Sequence, residues 1–153
     1  MTSGRLAAFA IALWLVTAGV FAWFFVHGNT RAGSDNRTAV VLASGDRDFV
    51  LSEMRGLLAG VHGVLDGIDR DDRSQIARAA RAGGMAAAAD VNPALMAQLP
   101  LPFKQLGVSV HRDMDALAQA ADEGKPLPEL QSRLTAVLSK CVACHAAWQL
   151  SSR

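Results

Sequence analysis

Cys141-Val142-Ala143-Cys144-His145 is the run in this 153-residue chain whose residue types and spacing do recognisable chemistry. C-x-x-C-H is the attachment signature of covalently bound haem. Each thiol adds across one of the two vinyl groups of the macrocycle, and the histidine that follows binds the iron from the side the thioethers fix. Cys141 and Cys144 are the only cysteines, so the pattern uses both. One haem c is therefore expected, tethered by Cys141 and Cys144, with His145 as an axial iron ligand.

Two other chemistries use paired cysteines. A structural zinc site takes four ligands, often from two such pairs, but His27, His62 and His111 are scattered without a matching pair. A dithiol redox site sits near a βαβ pattern, and this chain has none. Cysteines that merely filled a core would not need a histidine at position 145. Haem remains the strongest of these readings.

The motif has to be turned inward by a helix. At about 100° per residue, Cys141, Cys144, His145 and Trp148 fall in the arc of Leu130, Leu134, Val137 and Leu138. The ligands are thus expected to face a helical core, with Trp148 packing on the porphyrin one turn further on. This last helix follows Gly124-Lys125-Pro126, takes Pro128 in its first turn and is expected to reach about Leu150.

Three earlier helices are expected to complete the core. The first runs from near Ser44 to about Ile68, with Val50, Met54, Leu57, Leu58, Val61, Val64, Leu65 and Ile68 at helical spacing. The second covers roughly Arg73 to Ala82, capped by Asp71 or Asp72. A proline-containing loop follows, then a third helix from about Phe103 to Ala121. No strand-like alternation occurs. The expected class is all-α, an antiparallel four-helix bundle preceded by one N-terminal transmembrane helix. His62 and His111 read as surface or boundary residues, His27 as lying at a membrane interface, and Met85, Met96 and Met114 as loop or core residues.

With this helix order and motif position, residues from about 45 to 150 resemble the cytochrome c′ superfamily, in which C-x-x-C-H lies on the last helix near the C-terminus. Trp148 holds the aromatic place after the motif, but Gln149 stands where a basic residue is usual. The resemblance implies a domain on the outer side of the cytoplasmic membrane, where haem is attached. It also implies a choice at the iron. Low-spin members place a Met from the first helix on the sixth position and transfer electrons; high-spin members leave it empty and bind NO or CO. Met54 lies inside the apolar stripe of the first helix, so it is either the distal axial ligand or a packing residue.

The chain before the bundle reads as a membrane attachment. Leu6 to Val26 is a run of 21 residues without a charge, enough at about 1.5 Å per residue to cross a hydrocarbon core of about 30 Å. A cleaved signal has a shorter apolar region and a small-residue cleavage site. Here Phe21, Trp23, Phe24 and Phe25 occupy that place and suit an interface. Residues 1–27 are expected to be an uncleaved single-pass anchor in the inner membrane, residues 28–44 a flexible linker, and residues 45–153 a periplasmic haem domain. The alternative is a signal whose removal leaves a soluble periplasmic protein.

Charge excludes more than it identifies. Arg5 is the only charge up to His27, leaving 14 Lys and Arg against 14 Asp and Glu. No basic stripe for nucleic acid exists. No acid/base pair or substrate-cleft signature is present, so the expected function is an electron carrier or haem-binding module rather than an enzyme. The expected partners are a redox protein and a membrane engaged through residues 6–26. A homodimer is left open.

Overall fold

The computed structural model describes residues 3–152. It is mostly helical, with one apolar N-terminal helix and a small sheet. Helix α1 spans Ser3–His27, with none of its residues buried. It is long and apolar enough to cross a membrane or to be a signal sequence.

Residues 28–44 do not form the expected flexible linker. They fold into β1 (Thr30–Ala32) and β2 (Thr38–Leu42), which pair antiparallel across a turn with Asn36 at φ 66°. The last helix, α6 (Leu127–Ala147), ends three residues before Leu150, and Trp148–Ser152 forms β3, parallel to β2. The register runs from Thr38 opposite Trp148 to Leu42 opposite Ser152. These strands correct the all-α expectation. Their physical cause is local: β2 reads Thr-Ala-Val-Val-Leu, rich in β-branched residues, and Ala39, Val40 and Leu42 are buried. With apolar residues buried on both faces, the run has no alternation to announce it.

Helix α2 spans Ser44–Asp69 and α3 Arg73–Ala82. The Asp72 carboxylate caps α3 by accepting from the Gln75 amide at 2.9 Å. A short helix, α4 (Pro93–Gln98), forms within the expected loop, capped by Asn92. Helix α5 spans Leu101–Asp122 and stops at Gly124, whose φ of 71° is left-handed.

Helix α2 packs on α3 and α6, and α5 packs on the other sides of α3 and α6. Val61, Val64, Ile76, Met114, Leu117, Leu130, Leu134 and Val137 fill the space between them. A second core cluster lies at the sheet end, built on Val40, Leu42, Leu95, Leu99 and Phe103. Packed against it are Val50, Met54, Cys144, Trp148 and Leu150.

The α2–α3 contact is close because α2 presents glycines there. A Cβ on Gly67 would lie 2.7 Å from Ile76 Cγ1 and 3.0 Å from the Ile76 nitrogen. Gly67→Ala should therefore destabilise by about 1–3 kcal/mol through overpacking, more than the roughly 1 kcal/mol gained by removing a helical glycine. Gly56 sits on the same helix with nothing near its would-be Cβ. Gly56→Ala should stabilise by about 0.5–1 kcal/mol. Denaturant midpoints of the two variants, measured against the parent, check the opposite signs.

The junction between α1 and the rest is built rather than slack. Gly28 turns the chain with φ 61°, and a Cβ there would run into the backbone of Gln98 to Pro100. The Asn29 amide donates to the Gln98 carbonyl at 2.7 Å, and its side-chain amide donates to the Val41 carbonyl at 2.7 Å. Lys104 of α5, buried, donates from Nζ to the Phe25 carbonyl at 2.9 Å and lies over the Phe25 ring. It occupies the negative end of the α1 dipole and satisfies a carbonyl that α1 cannot. Burial pushes the Lys104 pKa below its ordinary value.

Candidate haem site

Helix α6 carries the motif because its apolar residues lock one face. Leu130, Leu134 and Val137 are buried, whereas Leu138 is 37% exposed and is not the core residue expected. Leu58 and Leu65 of α2 are likewise exposed, at 67% and 46%. The cause is an open seam. Gly60, Gly63 and Gly67 set one flank of α2 against α3, and Lys140 ties one flank of α6 to α5 through Asp113 at 2.5 Å. The opposite flanks are thereby turned toward each other. They carry Leu51, Leu58 and Leu65 on α2 and Leu138, Val142 and His145 on α6. Of the four neighbouring pairs, α2 and α6 meet least closely, which leaves Leu58, Leu65, Leu138 and Val142 in solvent and Leu51 half-buried.

The motif residues sit at the sheet end of this seam. Cys141 and Cys144 are free thiols, each half-buried. Burial pushes both thiol pKa values up, and at Cys144 the neighbouring Cys141 adds to the rise. Cys144 packs in the second cluster with Met54 and Trp148. Phe103 meets Trp148 edge-on, with ring centroids 6.1 Å apart and planes at 88°. A cavity of about 160 Å³ opens among Leu51, Met54, Phe103, Cys144, His145 and Trp148.

Trp148 reaches this place from the first position of β3, not from a continuing helix. Its backbone turns extended, at φ −127° and ψ 149°, while its amide still donates to the Cys144 carbonyl. Arg37, just before β2, donates from Nη1 to the carbonyls of His145 at 3.3 Å and Trp148 at 3.4 Å. One side chain thus serves two carbonyls that the end of α6 leaves without helical partners. Arg37 also pairs with Asp35, which holds the Asp35 carboxyl below the usual carboxylate range.

The residues expected to act together are therefore adjacent: Met54, Cys144, His145 and Trp148 border one cavity, and Cys141 is one turn back on the same helix. His62 is exposed, and Met85 and Met96 lie in loop and second-cluster positions. His111 corrects the surface reading, because it is buried on α5, where its Nδ1 donates to the Gly83 carbonyl at 2.8 Å. His27 is exposed at the end of α1 and stacks on Trp23 at 3.7 Å. Arg37 and Arg47 also line the cavity, and spacing offered no sign of either. Arg37 lies more than 100 positions from the motif and arrives only through the β2–β3 pairing.

These surroundings fit a haem. The macrocycle is a flat apolar plate larger than the cavity, and the seam presents apolar flanks on both sides of a poorly closed contact. From α6 the Cys144 thiol and the His145 imidazole line the cavity, with Cys141 one turn back, and from α2 the Met54 thioether lines it. No family model, curated protein or solved structure matches this chain.

Proposed function

We propose that the protein is a membrane-anchored c-type cytochrome that carries electrons through one covalently attached haem. On this reading α2, α3, α5 and α6 form an antiparallel four-helix bundle, and α1 is a single-pass inner-membrane anchor with the bundle in the periplasm. The observation that carries it is the placement of Cys144 and His145, on the open seam between α2 and α6, around the same cavity as Met54.

Haem held there supplies a one-electron iron couple. The chain does the rest. Cys141 and Cys144 would hold the haem through two thioethers, each thiol adding its sulfur and its hydrogen across one vinyl group with no change in oxidation state. His145, which directly follows Cys144, would hold the iron. Met54, half-buried and lining the same cavity from α2, would offer its thioether as a further iron ligand. Phe103 and Trp148, in edge contact, would keep water from the interior side of the cavity, and the exposed Val142 marks the side open to a partner.

The test is expression of the full chain with a haem-attachment system, followed by membrane fractionation and a visible spectrum. The expected result is a haem-staining band of full-length mass in the membrane fraction, with a low-spin spectrum in both oxidation states. A high-spin, CO-binding spectrum would make the protein a gas-binding module instead. A band without haem would end the cytochrome reading.

A further inference from the structure

The cavity beside His145 carries two guanidinium groups on its wall and, among the described residues, no carboxylate. Arg37 comes from the turn that enters β2, and Arg47 from the first turn of α2. Both belong to the sheet end of the seam. From Cys141 along α6 the chain passes Cys144 and His145, level with Met54, and then reaches the carbonyls that Arg37 holds. Arg47 stands two turns before Met54 on α2, toward the same end.

Each arginine is steadied from outside the cavity. Arg37 Nη2 lies 2.6 Å from Asp35 Oδ2, and Arg47 Nη1 lies 3.2 Å from Asp48 Oδ1. Gln149, also on the cavity wall, donates to Asp35 at 3.2 Å. Capping of α6 takes Nη1 of Arg37 and Asp35 takes its Nε, at 2.8 Å, and its Nη2, yet the guanidinium still stands on the cavity wall, and neither role touches Arg47. Two cations on an otherwise apolar and amide wall form a site for carboxylates.

Haem has this complementarity built in. Its vinyl edge is the one the thiols take, and its opposite edge carries two propionate carboxylates. We propose that Arg37 and Arg47 receive the two haem propionates, so that the cysteines hold one edge of the macrocycle and the N-terminal arginines the other. The inference rests on the cytochrome reading and assigns it a second set of binding residues, one of them supplied by the hairpin next to the anchor. Neutralising the propionates removes negative charge near the iron, which favours the reduced state.

The experiment measures the midpoint potential of the haem-loaded full chain in detergent for the parent, Arg37→Gln, Arg47→Gln, Arg37→Lys and Arg133→Gln. Arg133 pairs with Glu129 at the far end of α6 and serves as the control. Both Gln variants at the cavity should have lower potentials than the parent, with haem staining undiminished because the thioethers still hold the group. Arg37→Lys should recover most of the loss, and Arg133→Gln should match the parent. Potentials of Arg37→Gln and Arg47→Gln equal to that of Arg133→Gln would overturn the assignment. A drop in Arg37→Gln that lysine does not restore, with Arg47→Gln unchanged, would leave Arg37 a helix cap and overturn it too. A parent chain without covalent haem fails at the staining step, before any potential is compared, and marks failure of the cytochrome reading itself.

Discussion

Replacing both Cys141 and Cys144 with Ala should abolish covalent haem, and each single replacement should leave one thioether at most. On the cytochrome reading each sulfur makes its own bond to its own vinyl group, so neither can stand in for the other. On a haem-stained denaturing gel the double variant should show no signal, while an immunoblot shows the chain itself. The substitutions cost little in the fold, since both thiols are only half-buried and neither is in a disulfide. Loss of staining therefore reports attachment rather than unfolding. Full staining of the double variant would remove the basis of the whole functional reading. His145→Ala should keep the thioethers but lose the proximal imidazole, giving a stained band with an altered iron spectrum.

The second large effect belongs to Met54. If its thioether binds the iron, Met54→Ala opens the sixth position, moves the spectrum toward high spin and admits CO. The reduction potential should also fall, since a thioether favours the reduced iron. A packing role predicts something different. Met54 is half-buried against the second core cluster and shares a cavity with Phe103, Cys144 and Trp148, so its loss would cost about 2 kcal/mol, the low end of the range for a Met-to-Ala change, and leave the spin state alone. Spectra with and without CO, beside a denaturant midpoint, separate the two. A parent already high-spin and CO-binding would end the argument for electron transfer.

Much of the helical framework was legible because periodicity and punctuation agreed. Arg73 to Ala82 is bounded by Asp72 and Gly83, and the helix forms over those residues. The close of α6 was not legible. Nothing between Ala147 and Leu150 breaks a helix; a strand more than 100 positions earlier captures the backbone there. The burial of His111 depends in the same way on a carbonyl 28 residues distant. Leu58 and Leu138 were read as core because a helical stripe records which residues share a face, not how tightly the facing helix closes on it. Of the site, the motif and the inward stripe containing Met54 could be read from spacing. The arginines on the cavity wall could not, because strand pairing brings Arg37 there.

The joint at Gly28 governs how far the domain can travel. A flexible tether of a dozen residues would let a haem sweep a hemisphere above the bilayer and visit partners at different heights. Here the Asn29 amide is fixed to Gln98, its side chain to Val41, and Lys104 grips the last turn of α1. With α1 in a membrane, the domain would turn with its anchor like a flag on its pole. A haem on α6 would keep one altitude and one tilt, and the search for a partner would reduce to lateral drift and rotation about the membrane normal. A partner would then have to present its own redox centre at that altitude, or come to the domain from the aqueous side.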